Sequence, residues 1–113
     1  SMSTPEAGAI VREVYREYSK VFPGRIRDAY LYGSYARGDF DSESDIDILL
    51  TVDADNAEIA KRRYALAEIT SSLSLKYDIT VSATAKPLAQ FRQYGEVMPF
   101  YKNVLREGIN YAV

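Results

Sequence analysis

The sequence predicts an α/β protein, because segments with strand alternation and segments with helical periodicity follow one another along a chain of one-domain length. With 113 residues the chain can bury one modest core, so residues 1–113 are expected to form a single domain. Ser1 before Met2 is typical of a remnant of tag cleavage, so residues 1–3 are expected to be partly foreign and flexible. Hydrophobic residues make up 47% of the chain, which is sufficient for such a core.

Each predicted element has its own signal in the sequence. Ser3 followed by Glu6 is the spacing of a capping box, which locates the start of the first helix. Apolar residues three or four positions apart mark the helices, and alternation marks the strands over 45–52 and 77–82. The strand over 26–32 follows the break at Phe22, Pro23 and Gly24 and runs into Gly33. Gly108 follows the last helical pattern as a C-cap. The predicted elements are a helix over 4–20, a strand over 26–32, a helical turn over 34–38, a strand over 45–52, a helix from 53 or 55 to 72, a strand over 77–82, and helices over 88–94 and 99–106.

The residue types exclude several classes of chemistry and partner. The chain contains no cysteine and no histidine, so thiolate and imidazole metal sites and histidine-based triads are not possible. The net charge of -2 argues against an extended surface for duplex nucleic acid. No apolar run approaches the roughly 18 residues of a membrane span, and no signal-peptide pattern is present. A cytoplasmic location is therefore expected.

Three aspartates fall on predicted strands. Asp45 and Asp47 alternate with apolar residues, so both side chains face the same side, with Cα atoms about 6.6 Å apart. Asp78 lies on the polar face of the strand predicted over 77–82, and pairing of the two strands would complete a cluster. Three close carboxylates repel one another unless cations neutralise them. Oxygen ligands favour Mg²⁺ or Mn²⁺, and two such ions about 3.5 to 4 Å apart support displacement at phosphorus.

A turn of small residues precedes the acidic strand. Gly33 lets the backbone approach a ligand closely, and Ser34 adds a hydroxyl beside the amides that open a helical turn. Phosphate oxygens fit such a turn, so turn and carboxylates together predict a nucleoside triphosphate site. Arg37 suits either a phosphate contact or a bracing role in its loop. By themselves, Asp45 and Asp47 would also fit the solvent face of an edge strand.

The stretch GSYARGDFDSESDID, residues 33–47, resembles the signature of the DNA polymerase β-type nucleotidyltransferase superfamily, in particular of its minimal nucleotidyltransferase branch. Strand, Gly-Ser turn, acidic strand, helix and later acidic strand occur in the family order over residues 26–82. The resemblance implies the polymerase β-like nucleotidyltransferase fold, with a small mixed sheet and helices packed on one face. It also implies an enzyme that works on a nucleotide.

The resemblance further implies a role for each candidate residue. Gly33 and Ser34 hold the triphosphate of ATP. Asp45 and Asp47 bind both Mg²⁺ ions, and Asp78 completes one metal site and helps to deprotonate the acceptor hydroxyl that receives AMP. In small proteins of this branch the acceptor is typically a tyrosine of a HEPN-domain toxin, for which the nucleotidyltransferase serves as antitoxin.

Two other functions remain open at this point. A non-catalytic antitoxin would neutralise its toxin by covering the active site of the toxin, with a triphosphate site that no longer works. A nucleotidyltransferase for small hydroxylated molecules, such as aminoglycosides, would need an acceptor-binding domain for which this chain has no room. Labelling of a cognate toxin, protection without labelling, and labelling of an aminoglycoside distinguish the three functions.

Overall fold

The computed structural model describes residues 2–112, and the tag remnant expected at Ser1 lies outside them. Among the described residues, no helix has the length and apolar character needed to cross a membrane. The elements in chain order are α1 (Thr4–Val21), β1 (Ile26–Tyr32), α2 (Ser34–Arg37), β2 (Ile46–Val52), α3 (Asn56–Lys61), α4 (Arg63–Tyr77), β3 (Val81–Pro87), α5 (Leu88–Tyr94), α6 (Pro99–Glu107) and β4 (Ile109–Asn110).

The first helix begins where its capping signal predicts. Ser3 Oγ accepts a hydrogen bond from the Glu6 N–H at 3.3 Å, and Glu6 Oε1 accepts one from the Ser3 N–H at 3.2 Å. This reciprocal pair satisfies two amides that the first helical turn would otherwise leave without partners, and it confirms the predicted capping box. Ser3 therefore belongs to the folded domain.

The strands form one mixed sheet in the order β3-β2-β1-β4. β1 pairs antiparallel with β2 and with β4, whereas β2 and β3 are parallel. A parallel pair needs a crossover connection, which α3 and α4 supply. β2 is thus held by a strand on each side, and Ile48, Leu49 and Leu50 within it are fully buried.

Helices cover both faces of this sheet. α1 and α4 pack on one face, where Ile48 and Leu50 enter the larger core. α5 and α6 pack on the other face, where Leu49 meets Phe91 and Val104 in a second, smaller core. Successive residues of a strand point to opposite faces, so β2 contributes to both cores. The α/β class and the mixed sheet are confirmed, whereas the prediction of helices on one face is wrong, because helices also cover the second face.

The segment after β2 differs from its predicted pattern. The single helix expected up to residue 72 is two helices that meet at Arg62, and the second of them continues to Tyr77. The strand expected over 77–82 begins at Val81 and ends at Pro87. Tyr77 faces α1, where its hydroxyl donates to the carboxylate of Glu13. This contact with α1 favours helix where the alternation of the sequence suggested a strand.

Candidate functional site

The candidate site lies where β1 ends and β2 begins. Tyr32, the last residue of β1, is paired with Asp47 in the antiparallel register, and the turn of Gly33 and Ser34 follows immediately. Asp47 lies inside β2 and is partly buried, whereas Asp45 stands one residue before the strand and is exposed. The antiparallel connection therefore brings the glycine turn and the acidic strand to the same end of the sheet.

The backbone of Gly33 lies against the carboxylate of Asp47. Gly33 has φ 76° and ψ -157°, a conformation that is essentially restricted to glycine. A Cβ atom placed on Gly33 would come within 2.5 Å of Asp47 Oδ2. Ser34 then opens the single turn of α2, and the Gly38 N–H closes that turn by donating to the Ser34 carbonyl at 2.8 Å. Glycine at position 33 thus serves both the turn and its contact with the acidic strand.

The two carboxylates form an electrostatically unbalanced pair. Burial raises the pKa of Asp47, the charge of Asp45 raises it further, and the charge of Arg37 lowers it. Among the ion pairs of residues 2–112, none involves Asp45 or Asp47. A divalent cation between the two carboxylates would relieve both the repulsion and the cost of burial.

Arg37 is held by two carboxylates. Its Nε donates to Asp39 Oδ2 at 3.1 Å, and its Nη1 donates to Glu107 Oε1 at 3.2 Å. These hydrogen bonds raise the pKa of Arg37. The structure thus places Arg37 in the bracing role, and its contact with phosphate remains a prediction.

Glu107 reaches the site from the last turn of α6 and is not among the residues predicted from the sequence. Its Oε1 accepts a hydrogen bond from the Gly33 N–H at 3.1 Å, and its side chain is only 17% exposed. The two residues are 74 positions apart, so no local pattern connects them. The one available signal is an acidic residue at a helix C-terminus, where the helix dipole disfavours negative charge.

Asp78 does not lie on a strand, and the prediction that places it beside Asp47 is wrong. It caps α4 in the left-handed conformation, with φ 51°, because that helix continues through Tyr77. The position of β3 paired with Asp47 is occupied by Ser82. Over residues 2–112, no three Asp, Glu, His or Cys side chains group closely enough to hold a metal ion. The candidate metal ligands in this structure are therefore the two carboxylates of Asp45 and Asp47.

Residues 10–108 match the sequence model of a family described as "Nucleotidyltransferase domain". The chain is 34% identical over 98 residues to "Putative protein adenylyltransferase MJ0604" of Methanocaldococcus jannaschii, a match that covers 87% of this chain and 90% of that protein. It is 38% identical over 73 residues to "Putative protein adenylyltransferase MJ0141" of the same organism, covering 65% and 72% of the two chains.

Solved structures share the fold. A crystal structure of a putative nucleotidyltransferase from Sulfolobus solfataricus superposes with a TM-score of 0.63 at 20% identity, over 97% of this chain and 86% of that chain. A crystal structure described as a toxin-antitoxin with AMP-PNP superposes with a TM-score of 0.56 at 19% identity, over 89% of this chain and 71% of that chain. At these identities the likeness concerns the fold alone.

Proposed function

Because the chain belongs to the nucleotidyltransferase domain family, we propose that it transfers AMP from ATP to the hydroxyl of an acceptor. The observation that carries the proposal is the contact between Gly33 and Asp47, which places a turn suited to phosphate directly beside a carboxylate suited to a cation. In this proposal the Gly33 and Ser34 turn binds the triphosphate, and Asp45 and Asp47 hold the metal ion. The nucleotidyltransferase class itself follows from the family match over residues 10–108.

The donor set fits Mg²⁺ carried by a nucleotide. Mg²⁺ is usually held by one or two carboxylates together with substrate phosphates and water, and Asp45 and Asp47 supply that number. When bound, the ion supplies positive charge that stabilises the phosphoryl oxygens during displacement. Asp78, in the cap of α4, is left out of this set. The arrangement therefore supports one nucleotide-borne ion more directly than the two expected from the sequence.

The proposed reaction is a single displacement at the α-phosphorus of ATP. The oxygen of the acceptor hydroxyl forms a bond to that phosphorus, and the bond from the phosphorus to the oxygen bridging to the β-phosphate breaks. Pyrophosphate leaves with the bonding electrons, and the hydroxyl proton is released to water. The protein contributes mainly by holding the triphosphate in line with the acceptor, since positioning supplies much of the rate in such transfers.

The proposed acceptor is a tyrosine of a HEPN-domain toxin, for which this chain would act as antitoxin. A protein acceptor is supported by the relatives named as putative protein adenylyltransferases, one of which shares 34% identity across most of its length. A toxin partner is supported by the toxin-antitoxin structure among the fold neighbours.

The test combines the purified chain, a HEPN-domain toxin encoded beside it, Mg²⁺ and ATP labelled at the α-phosphate. We expect label on a toxin tyrosine from the α-position and none from the γ-position. Asp45→Asn and Asp47→Asn should each reduce labelling by about 100-fold or more, since loss of a metal ligand removes several kcal/mol of stabilisation. Asp53→Asn, at an exposed position at the other end of β2, is the matched control and should label normally.

Two results would contradict the proposal. Protection from the toxin by Asp45→Asn, Asp47→Asn protein without any label transfer would indicate a non-catalytic antitoxin. Transfer of AMP to an aminoglycoside, with the toxin unlabelled, would indicate a small-molecule acceptor.

A further inference from the structure

Glu107 connects the end of α6 to both sides of the candidate site. Its Oε1 accepts hydrogen bonds from the Gly33 N–H at 3.1 Å and from Arg37 Nη1 at 3.2 Å, and its Oε2 lies 3.3 Å from the same Arg37 nitrogen. One oxygen thus bridges the glycine turn and the arginine that follows it by four residues. A carboxylate that accepts an amide and a guanidinium at once forms strong, directional contacts.

The position of Glu107 is locally unfavourable, and its contacts offset that cost. A negative charge in the last turn of a helix opposes the helix dipole, and a side chain that is 17% exposed has lost most of its hydration. The Gly33 amide and the Arg37 guanidinium replace those interactions. The carboxylate is therefore held by the site rather than by its own helix.

The backbone on each side fixes Glu107 in place. Val104, one turn earlier in α6, is fully buried in the second core. The Gly108 N–H donates to the Val104 carbonyl at 2.7 Å, and Ile109 then pairs with Leu31 of β1. A carboxylate anchored between a buried helix and a strand has little freedom to leave its partners.

Gly33, which donates to Glu107, also contacts Asp47, the carboxylate proposed to bind the metal ion. Gly33 touches Asp47 so closely that a Cβ at position 33 would lie 2.5 Å from Oδ2. A shift of the turn therefore changes the space available to Asp47 as well as the direction of the amides that follow Gly33. Glu107 can therefore affect both the turn proposed to bind phosphate and the carboxylate proposed to bind the cation, without contacting either ligand itself.

We infer that Glu107 is a positioning residue, whose carboxylate holds the Gly33 and Ser34 turn and the Arg37 guanidinium in the geometry that binds the triphosphate. The inference rests on the proposed function, because it assigns the turn to a nucleotide. It adds a residue of α6 to a site built otherwise from β1, α2 and β2. Its Oε1 accepts from both donors, so the position of that oxygen fixes the turn relative to Arg37.

Two conservative variants separate geometry from charge. Glu107→Gln keeps an oxygen at the position of Oε1 but removes the charge. Glu107→Asp keeps the charge but shortens the side chain by one methylene, so its oxygens no longer reach Gly33 and Arg37 together. If the position of Oε1 acts, Glu107→Gln should bind nucleotide more tightly than Glu107→Asp or Glu107→Ala, although its NH2 group then faces Arg37 Nη1 in place of the acceptor Oε2. Glu107→Asp and Glu107→Ala should bind it about 10-fold or more weakly, the usual effect of losing a group that orients a binding residue.

The measurement is the affinity for a non-hydrolysable ATP analogue with Mg²⁺, by calorimetry, with the melting temperature of each variant recorded alongside. Glu96→Ala, an exposed glutamate before α6, is the matched control and should bind normally. The pair of Glu107→Gln and Glu107→Asp decides the question even if Glu107→Ala does not fold. In label transfer, the KM for ATP should rise more than kcat falls.

Each contrary result has its own meaning. If the unmodified chain binds no nucleotide, the proposed function fails and this inference fails with it. If the unmodified chain binds nucleotide and all three Glu107 variants bind it equally well, the inference alone is overturned. Tighter binding by Glu107→Ala would also overturn it, by showing that the carboxylate competes with phosphate for the Gly33 amide. Weak binding by Glu107→Gln with normal binding by Glu107→Asp would overturn the positioning role and assign the effect to charge.

Discussion

Gly33 and Asp47 share a contact that leaves no room for a side chain at position 33, since a Cβ there would lie 2.5 Å from Asp47 Oδ2. Gly24 and Gly38 also have positive φ, at 69° and 89°, yet nothing lies within 4 Å of a Cβ at either position. Alanine substitutions at Gly24 and Gly38 therefore measure the cost of a positive φ alone, whereas Gly33→Ala also disturbs the site.

Alanine at Gly24 or Gly38 should reduce the free energy of unfolding by roughly 1–2 kcal/mol, the cost of a left-handed conformation in a residue with a Cβ. Gly33→Ala should cost more, because its ψ of -157° lies in a region essentially restricted to glycine and its Cβ would meet Asp47 Oδ2. Only Gly33→Ala should also abolish label transfer and weaken nucleotide binding, because the Asp47 carboxylate must rotate away from the turn. Urea unfolding and label transfer measure the two effects. Equal activity of Gly33→Ala and Gly24→Ala would show that the contact has no functional role.

Asp47→Asn should stabilise the metal-free protein while it inactivates the enzyme. Burial and the charge of Asp45 raise the folded-state pKa of Asp47, so the ionised carboxylate destabilises the fold at neutral pH, and that destabilisation decreases as the pH falls toward the raised pKa. The amide removes this cost, and we expect the melting temperature without divalent ions to rise by about 2 to 4 °C.

Addition of Mg²⁺ and nucleotide provides the second half of that experiment. Ligands that bind only the folded state raise its melting temperature, so the unmodified chain should gain stability and Asp47→Asn should gain little. Asp53→Asn serves as the charge-matched control. A lower melting temperature for metal-free Asp47→Asn would contradict the unbalanced charge described for the site.

Asp78→Asn should leave label transfer within about twofold of the unmodified chain. Asparagine tolerates the left-handed conformation that Asp78 adopts at φ 51°, so the backbone is preserved while the charge is lost. The carboxylate lies at the cap of α4, outside the pair formed by Asp45 and Asp47. A loss of 100-fold or more in label transfer would restore Asp78 to the catalytic set and would require a rearrangement of residues 78–82.

Tyr77→Phe tests the link between α4 and α1 through its dependence on pH. The hydrogen bond from Tyr77, and then the one from Lys76, hold the pKa of Glu13 below its usual value. A lowered folded-state pKa stabilises the protein above the unfolded pKa of about 4.3, and this contribution is lost as the pH falls through the folded value. At pH 7, Tyr77→Phe should therefore reduce the free energy of unfolding by about 1 kcal/mol.

The difference between the unmodified chain and Tyr77→Phe should shrink as the pH falls below 4. Urea unfolding at pH 7 and at about pH 3.5 measures it. Tyr64→Phe is the control, since Tyr64 is 78% exposed and its loss of a hydroxyl should change little. A constant difference across this range would show that Glu13 is not the partner that matters.

Local signals predicted the parts of the fold that depend on local chemistry. The capping box at Ser3 and Glu6 and the turn at Gly33 are short-range features, and the structure has both. The alternation that suggested a strand from Tyr77 failed because the contact with Glu13, 64 residues away, extends α4. A local sequence pattern contains no information about such a distant partner, and tertiary contacts routinely override the local preference for helix or strand.

The candidate site likewise combines residues that are close in sequence, which could be predicted, with one that is distant in sequence, which could not. Gly33, Asp45 and Asp47 are close in sequence and meet because β1 and β2 are adjacent antiparallel strands. Glu107 meets Gly33 only because α6 packs on the second face of the sheet, which the sequence did not predict. The third carboxylate was misplaced for a related reason, since the start of β3 is set by the end of α4.

The burial of β2 also affects how fast the site can respond to its ligand. Asp47 is followed by three residues with no exposed surface, and the strand is bonded on both edges, so the backbone beneath this carboxylate loses its freedom during folding. No strand then needs to become ordered on binding, and the adjustment is left to the exposed residues 41–43 and to side-chain rotation. Motions of this kind take nanoseconds to microseconds. Capture of a nucleotide at this end of the sheet should therefore be limited by encounter rather than by rearrangement of the protein.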